Sequence, residues 1–332
     1  MSSNQLIADA FARCSQFNIL VVGDVMIDAY MWGKVDRISP EAPVPVISIQ
    51  SHEERLGGAA NVGLNVKAMG ANPVMCAVIG NDEKGDQLCH LLEQNGMTAD
   101  GIIRSDKRKT TVKTRVISSN QHLLRIDDEQ TAPLTENIEK QFISHIDSLF
   151  GKCKFDAVIF EDYDKGNITP AVIEHVVAQA KKHNIPTLVD PKKRNFTNYK
   201  GVTLFKPNFK EICEGLKISL AKGDFDALNA AAQQLKTMLG AGYVMVTLSE
   251  LGVFITDGDS YSRTPAEVRD IADVSGAGDT VISVAACCMA AGLPPVLTAQ
   301  IANIAGGLVC EKVGVVPIDK YALLADVVEK LA

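Results

Sequence analysis

The sequence is poor in aromatic residues and has no excess of basic ones. Phe, Trp and Tyr make up 5% of the 332 residues, with a single Trp, and the formal net charge is -7 at pH 7. The scarcity of rings argues against a surface on which bases or sugars stack, and the negative charge argues against a surface that coats nucleic acid. We expect no nucleic-acid partner. An anionic substrate is compatible with the sequence, because local clusters of Lys and Arg can oppose the overall charge.

Metal-binding, disulfide and leader patterns are also missing. The eight cysteines include no CxxC pair and the six histidines form no HExxH, so we expect reduced, buried thiols in a cytoplasmic protein and no zinc site. Residues 1–16 lack a basic region followed by an apolar one. Residues 280–310 carry no charge but are interrupted at Gly292-Leu293-Pro294-Pro295, which predicts two buried helices rather than a membrane span.

The order of apolar segments predicts an α/β fold. Hydrophobic residues make up 46% of the chain, enough for a full core, and continuous apolar runs alternate with amphipathic ones. The expected strands cover residues 18–23, 73–79, 157–160, 187–189 and 243–247, and the expected helices cover 59–69, 86–95, 170–180, 226–239 and 281–291. We therefore predict a central, mostly parallel sheet with helices on both faces.

Two segments break this rhythm. Residues 44–50 alternate between apolar and polar, and residues 112–126 read as two such strands joined by a turn. Alternation is typical of strands with one solvated face. We predict that they form a small β-sheet lid, with segments at about 28–55 and 108–128, on a single domain covering residues 1–332.

A turn rich in small residues is the most informative feature. Gly276, Ala277 and Gly278 precede Asp279 and lead directly into a predicted helix. Small residues let the backbone approach an anion, and the first turn of a helix offers free N–H groups, so the three residues predict an anion hole. Asp279 is placed to accept a proton in phosphoryl transfer. The alternative is a carboxylate that only caps the helix. The sequence contains no GxxxxGK[ST] phosphate-binding loop. It also lacks the GxGxxG dinucleotide-binding fingerprint, since the first predicted strand ends in the single Gly23.

Three motifs, taken together, resemble those of the ribokinase-like (PfkB) carbohydrate kinases. They are Gly57-Gly58-Ala59-Ala60-Asn61, the NxxE-like Lys206-Pro207-Asn208-Phe209-Lys210-Glu211 and the turn at 273–279. Their order and spacing fit that family over nearly the whole chain. The resemblance implies the ribokinase-like fold, with Asp279 as the catalytic base and ATP and Mg²⁺ as cofactors. A monovalent cation is a further candidate.

Further segments resemble the kinase domain of the heptose-7-phosphate kinase/ADP-heptose synthases. They are Gly23 to Asp28, Arg37 to Val46, Arg115-Val116-Ile117 with Asn120-Gln121, Asp162 to Gly166, and Asp190-Pro191-Lys192. This resemblance implies ATP-dependent phosphorylation at O1 of D-glycero-β-D-manno-heptose 7-phosphate to the 1,7-bisphosphate, in ADP-heptose and lipopolysaccharide biosynthesis. Because the sequence has no HxGH-type motif, we expect no nucleotidyltransferase domain.

The same resemblance implies further site residues. The sugar hydroxyls would be held by Asp28, Gly57, Gly58 and Asn61. Asn208 and Glu211 would organise the nucleotide phosphates and magnesium, with Glu211 acting through water. The nucleotide cleft would include Thr247, Ser249, Gly252, Asn303 and Gly307. Two of these assignments have structural alternatives: Asp28 could bond nearby backbone N–H groups, and Asn208 with Glu211 could form a capping box.

A sugar phosphate also needs cations. Lys113, Arg115 and Arg125 lie on the two alternating strands and form a candidate phosphate clamp, with Arg37 on the earlier lid segment. A solvated strand face is the alternative. Asp162 and Lys165 follow a strand at the edge where open α/β sheets bind ligands, although a plain turn explains them as well.

Two other functions stay open at this stage. One is a kinase for another sugar phosphate, such as fructose 1-phosphate or tagatose 6-phosphate. The other is a non-catalytic protein that binds sugar nucleotides. Exposed lid edges, together with the resemblance, lead us to expect a homodimer formed through the lid, with a sugar phosphate and ATP as ligands and no membrane partner.

Overall fold

The computed structural model describes residues 3–119, 121–267 and 269–331. The strands are β1 (Asn18–Gly23), β2 (Val25–Ile38), β3 (Pro45–Gly58), β4 (Asn72–Gly80), β5 (Ile102–Ser105), β6 (Val112–Ser118), β7 (Gln121–Asp128), β8 (Ala157–Glu161), β9 (Thr187–Asp190), β10 (Leu204–Phe205), β11 (Tyr243–Thr247), β12 (Val253–Thr256) and β13 (Tyr261–Thr264). The helices are α1 (Ser3–Arg13), α2 (Ala59–Ala68), α3 (Glu83–Gln94), α4 (Glu136–Lys152), α5 (Pro170–Lys182), α6 (Phe209–Leu216), α7 (Phe225–Leu239), α8 (Ala277–Ala290), α9 (Pro295–Cys310) and α10 (Lys320–Lys330).

Nine strands form the main sheet, in the order β13-β12-β11-β10-β9-β8-β1-β4-β5. The seven strands from β11 to β5 are parallel, and β12 and β13 add an antiparallel edge. Parallel strands need helical crossovers, which the amphipathic segments supply. The carboxyl ends of the parallel strands consequently open onto one edge, where ligands bind in such sheets.

Helices cover both faces of this sheet, as the apolar strands predict. Ile19 and Val21 pack with α1, α2, α8, α9 and α10 on one side. Leu20 and Val22 pack with α4, α5, α6 and α7 on the other. A strand whose successive side chains enter two different cores must be apolar throughout, which explains the unbroken hydrophobic run.

A second sheet of four strands has the order β3-β2-β6-β7. β2 pairs antiparallel with β3 and parallel with β6, and β6 pairs antiparallel with β7. This is the small separate sheet that the alternating segments predict, and we call it the lid. Every residue of β7 is exposed. Asn120, part of the turn that the sequence predicts in this region, lies outside the described residues.

The uncharged segment 280–310 forms the C-terminal part of α8 and the whole of α9, as expected. Both α8 and α3 begin earlier than the periodicity indicates. α3 begins at Glu83 rather than near residue 86, because the Asp82 side chain caps it by accepting from the Gly85 N–H at 2.7 Å. Within the described ranges, no helix combines the length and apolarity that crossing a bilayer requires.

Candidate active site

Asp279 lies in the first turn of α8, with its side chain directed into the protein interior. Gly276 caps this helix with φ of 79°, a left-handed conformation that favours glycine, and no side chain caps it. The Asp279 carboxylate accepts hydrogen bonds from Asn61 Nδ2 at 2.7 Å and from the Tyr163 hydroxyl at 2.8 Å. The helix-cap alternative is therefore wrong for Asp279, because its oxygens bind side chains from two other elements.

The backbone around Asp279 has the properties of an anion hole. The N–H groups of Gly278 and Asp279 belong to the first turn of a 14-residue helix, where no intrahelical acceptor is available. Ala277 donates its N–H to Val274 at 3.4 Å, a long bond that closes the turn. The Nζ atom of Lys206 lies 3.8 Å from the position that a Cβ on Gly278 would occupy. Cationic and dipolar groups thus converge on this turn.

Three carboxylates meet at the carboxyl ends of neighbouring strands. Oxygens of Glu161 at the end of β8, Asp190 at the end of β9 and Asp279 lie within 4.8 Å of one another. Lys206, which is only 2% exposed, supplies the positive charge here, and its Nζ lies 2.8 Å from Asp190 Oδ2. A buried ion pair thus compensates part of this acidic cluster.

The cluster shifts the pKa values of its members. Burial raises the pKa of Asp279 to about 6, although its bonds from Asn61 and Tyr163 act in the opposite direction. Burial, reinforced by Asp190, raises the pKa of Glu161 well above its usual value. Burial opposes the charge of Lys206, but Asp190, Glu211 and Glu161 together outweigh it and raise the pKa of Lys206. Asp279 therefore titrates where a general base is useful, near neutral pH.

Lys192 connects this cluster to the NxxE-like motif. Its Nζ lies 2.6 Å from Glu211 Oε1 and 3.9 Å from Asp190 Oδ1, and it stands 5.6 Å above the Tyr163 ring. Burial disfavours the charge of Lys192, but Asp190 and Glu211 together raise its pKa, so it stays a cation. A cleft of about 290 Å³ opens beside these groups. It is lined by Asp164, Lys192, Lys193, Phe196, Asn208, Lys210, Glu211, Glu214 and Gly215.

The NxxE-like motif forms the capping box that its spacing allows. Asn208 Oδ1 accepts from the Glu211 N–H, and Glu211 Oε2 accepts from the Asn208 N–H, both at 2.8 Å. Asn208 also pairs through its backbone with Thr247 at the end of β11. The fixed carboxylate of Glu211 thus faces a cleft that carries lysines, a donor set suited to a magnesium-bound polyphosphate.

The lid brings Asp28 and Arg115 together. Arg115 donates to Asp28 Oδ1 at 2.6 Å, so the alternative of a carboxylate bound to backbone N–H groups is wrong. A Cβ on Gly57 would lie 2.2 Å from Asp28 Oδ2, which requires glycine there. The guanidinium groups of Arg55 and Arg115 lie 5.1 and 5.2 Å from the centre of the Tyr30 ring. Gly58, with φ of 57°, leads from the lid into α2 and Asn61.

Only some of the residues predicted to clamp the substrate phosphate lie close to one another. Lys113 and Lys165 both lie 2.8 Å from carboxylate oxygens of Glu129, and Arg115 stands directly opposite Arg125 across the β6–β7 ladder. The solvated-face alternative fits Arg125 best, because its side chain is 61% exposed and pairs with Asp127. Arg37 is exposed at the distal end of β2, opposite Val46. The structure therefore brings Lys113, Lys165 and Arg115, but not Arg37, to the lid base, which is the end of the lid around Asp28 and Gly57 where β2 begins and β3 ends.

Asp162 does not face the site. Its carboxylate is buried and accepts from the Tyr199 hydroxyl at 2.7 Å, from Asn195 Nδ2 at 3.1 Å and from the Asp164 N–H at 2.9 Å. Burial and the charge of Asp24 raise its pKa to about 6. The interpretation of Asp162 as a sugar ligand is replaced by the turn alternative, because its acceptor capacity is used inside the protein.

The remaining nucleotide candidates lie in two places. Ser249 begins a short turn after β11 that ends at Gly252, whose φ of 86° suits glycine. Asn303 on α9 donates to the Pro265 carbonyl at 2.9 Å, and the Arg269 side chain lies against Gly307. Pro265 and Arg269, which follow β13, therefore cover the part of α9 where the nucleotide cleft is expected.

The motifs of the sequence assign no role to several residues of the site. The motif segments 162–166, 190–192 and 206–211 contain Tyr163, Asp190, Lys192 and Lys206, but they contain neither Glu161 nor Glu129. The signal that identifies Glu161, Asp190 and Lys206 is positional: each stands at, or one residue beyond, the carboxyl end of a parallel strand. Glu129 carries no such signal, because only the fold brings it between two lysines.

The comparison with family models decides the classification. Residues 16–320 match the model described as the pfkB family carbohydrate kinase. The chain belongs to the pfkB family of carbohydrate kinases. It is therefore a sugar kinase, a phosphotransferase that acts on an alcohol group, and the family implies the use of ATP and Mg²⁺. The cleft lined by Lys192, Asn208 and Glu211 suits the phosphates of ATP with a magnesium ion.

Curated relatives resemble the kinase over most of its length. It is 38% identical over 324 residues to the "Bifunctional protein HldE" of Trichlorobacter lovleyi, covering 97% of this chain and 65% of the relative. It is 42% identical over 296 residues to the protein of the same name from Wolinella succinogenes, covering 89% of this chain and 61% of that one. The chain thus spans less than two thirds of these bifunctional relatives.

Solved structures share the fold. The kinase superposes on phosphofructokinase-2 from Escherichia coli, in a complex with potassium, with a TM-score of 0.75 at 16% identity, covering 94% of this chain and 99% of that one. For Arabidopsis thaliana ribokinase complexed with ribose and ATP, the TM-score is 0.71 at 16% identity, with 93% and 98% coverage. The fold is therefore ribokinase-like, as the motifs imply.

Proposed function

We propose that this kinase transfers the γ-phosphoryl group of ATP to O1 of D-glycero-β-D-manno-heptose 7-phosphate, giving the 1,7-bisphosphate for ADP-heptose and lipopolysaccharide biosynthesis. The observation that carries the proposal is the buried Asp279 carboxylate beside the free N–H groups of α8. The choice of sugar is supported by the motifs that resemble heptose-7-phosphate kinases and by the HldE relatives.

In this mechanism Asp279 accepts the proton of the sugar O1 hydroxyl as that oxygen attacks phosphorus. The N–H groups at the start of α8 stabilise the charge on the transferred phosphoryl oxygens. The ammonium group of Lys206, close to Gly278, adds positive charge beside them. Glu211 would hold magnesium through water, and the ion would supply positive charge to the ATP phosphates. Lys192 lies between Glu211 and Asp190 and orients the phosphates by charge.

The sugar is held at the lid base. Asp28, Gly57, Gly58 and Asn61 are proposed to bind its hydroxyls. The buried Asn61 Oδ1 has no hydrogen-bond partner among the described residues, which suits a hydroxyl donor. Lys113, Arg115 and Lys165 are proposed to hold the phosphate of the substrate, with Arg125 at the edge. Thr247, Ser249, Gly252, Asn303 and Gly307 are proposed to line the nucleotide cleft, and a monovalent cation remains a candidate cofactor.

Release of ADP with competing substrates tests this assignment. The enzyme is assayed side by side with heptose 7-phosphate, fructose 1-phosphate and tagatose 6-phosphate at equal concentrations. We expect the highest kcat/KM with heptose 7-phosphate. A higher value for either ketose phosphate would replace the proposed substrate, and binding of sugar nucleotides without turnover would replace the kinase mechanism.

The activity is expected to depend on pH through Asp279. A base must be ionised to accept a proton, and burial raises the pKa of Asp279 to about 6. The value of kcat/KM should therefore be level above this pH and fall about tenfold per pH unit below it. Initial rates at saturating ATP from pH 4.5 to 8 measure the profile. A profile that stays flat to pH 5 would contradict the assignment of the base.

The substrate phosphate is expected to depend on Arg115. Changing Arg115→Met removes a charge-assisted donor and should raise the KM for the sugar phosphate about tenfold or more, while the KM for ATP stays unchanged. Arg104→Met is the control, since Arg104 pairs with Asp86 near the far edge of the main sheet. Equal effects of the two changes, or an effect on ATP alone, would refute the clamp.

We also propose that the kinase is a homodimer formed through the lid. Large apolar side chains on the lid strands, and Val44 just before β3, are exposed; those on the strands are Ile38, Ile49, Leu123, Leu124 and Ile126. Leu124→Glu should convert the sedimenting species to a monomer, whereas Tyr321→Glu on α10 should not. A wild-type protein that sediments as a monomer at micromolar concentration would overturn the dimer.

Two further assignments belong to this proposal. Only the kinase step is assigned to the single domain of residues 1–332, because they contain no HxGH-type motif. A cytoplasmic location is supported by the eight cysteines, all of which are free thiols.

A further inference from the structure

Tyr163 contacts the proposed catalytic base directly, from the loop that follows β8. Its hydroxyl donates to Asp279 Oδ1, while Asn61 Nδ2 donates to Oδ2, so each carboxylate oxygen has one fixed donor. Burial and the neighbouring Asp279 raise the pKa of Tyr163 well above its usual value. The phenol therefore keeps its proton and remains a donor over the working pH range.

The loop that carries Tyr163 is anchored on one buried carboxylate. Asp24, immediately after β1, is fully buried and accepts the backbone N–H groups of Tyr163 at 2.9 Å, Lys165 at 3.0 Å and Asn167 at 3.1 Å. The three N–H donors engage both oxygens of the carboxylate. The backbone of the loop is thereby fixed relative to the first strand.

The same residue also fixes the second donor. The carbonyl of Asp24 accepts the N–H of Ala59 at 3.0 Å, at the start of α2, which carries Asn61 two residues later. Asp24 therefore anchors both elements that hold Asp279. The loop backbone is thus held by its N–H bonds to Asp24, while the Tyr163 hydroxyl donates to the Asp279 carboxylate.

We propose that Tyr163 is a positioning residue for the base, anchored by Asp24, and that its hydroxyl keeps Asp279 oriented and ionised for proton acceptance. This inference rests on the proposed function. The other groups that face Asp279 are Glu161 from β8, Asp190 from β9 and Lys206 after β10. Burial and the charge of Asp190 favour protonation of Asp279 and Lys206 opposes it, so the donor bonds help to keep Asp279 ionised.

The variant Tyr163→Phe tests the role of the hydroxyl while keeping the ring. Removing a donor from a carboxylate destabilises its ionised form, so the acidic limb of the kcat/KM profile should move up by about one pH unit. With the pKa moved from about 6 to about 7, about half of Asp279 would be ionised at pH 7, so kcat should fall about twofold there from this cause, with the KM for ATP unchanged. An unshifted acidic limb would overturn the proposal, whatever the loss of kcat.

Tyr199→Phe is the matched control. It removes a fully buried phenol that donates at 2.7 Å to the carboxylate of Asp162, which lies in the same loop as Tyr163 but away from Asp279. It should lower the thermal midpoint of unfolding but leave the acidic limb in place. An equal shift in both variants would assign Tyr163 a general structural role and refute the proposal.

A readout without substrate separates this inference from the kinase assignment. Carboxyl ¹³C resonances of the protein labelled at Asp are titrated, and that of Asp279 is identified by its loss in Asp279→Asn. Its midpoint should rise in Tyr163→Phe and stay in place in Tyr199→Phe. If wild-type protein phosphorylates none of the sugar phosphates, the proposed function fails, yet this titration still decides whether Tyr163 acts on Asp279.

Discussion

Replacing Asp279 with Asn is expected to lower kcat by about a thousandfold while leaving the KM values for both substrates within a few-fold. General base catalysis contributes about a hundred- to ten-thousandfold, and an amide cannot accept the proton of the sugar hydroxyl. The N–H groups of α8 and the flanking cations stay in place, so binding should persist. Single-turnover measurements with ATP and the sugar phosphate separate the chemical step from product release.

The control for this change is Asp257→Asn. Asp257 lies on the exposed turn between β12 and β13, where its carboxylate accepts, among the described residues, from the neighbouring residues 259 and 260. It should retain full turnover. Turnover by Asp279→Asn within tenfold of wild type would show that another group takes the proton, and the acid-base assignment would have to be abandoned.

Replacing Lys206 with Met should have the largest effect on stability. The Lys206 ammonium is buried and lies 2.8 Å from Asp190, beside Glu161 and Asp279. Removing one partner of a buried ion pair leaves an uncompensated charge and costs about 3 to 5 kcal/mol. Urea unfolding at pH 7.5 measures the loss, provided that the m-value is unchanged.

The pH dependence of this loss provides an internal check. The pKa of Asp279, about 6 in the intact protein, is already raised by burial, and without Lys206 the remaining carboxylates are relieved by protonation. The deficit in the free energy of unfolding should therefore shrink as the pH falls from 7.5 to 5. The control is Lys210→Met, because the Lys210 side chain is 82% exposed and pairs loosely with Glu214 at 3.7 Å. A similar, small effect of both changes would refute the buried charge cluster.

Much of the fold follows from the order and composition of the apolar segments. The unbroken runs at β1, β8 and β11 predict buried parallel strands because each feeds two cores. The alternation in 112–126 predicts the lid strands β6 and β7. The 14-residue strand β2 is harder to predict, since its first half is buried beside α2 and only its second half is solvated.

The catalytic turn could be predicted because its chemistry is local. Gly276 to Asp279 combine the small residues, helix start and carboxylate within four positions. The contacts of Asp279 could not be predicted, because Asn61 lies 218 residues earlier in the chain and Tyr163 lies 116 residues earlier. Asp162 and Tyr163 are adjacent, and nothing in the sequence shows which of them reaches the site. The path of the loop directs Asp162 into the protein interior and Tyr163 toward Asp279.

The most direct test of the central claim is to identify the product of one reaction. The wild-type enzyme is incubated with ATP, Mg²⁺ and heptose 7-phosphate, and the mixture is followed by ³¹P NMR with proton coupling. We predict a second phosphomonoester resonance coupled to the anomeric proton, growing in step with ADP and absent with Asp279→Asn. Formation of ADP with inorganic phosphate alone, or a new phosphate on any other carbon, would contradict transfer to O1 with Asp279 as the base.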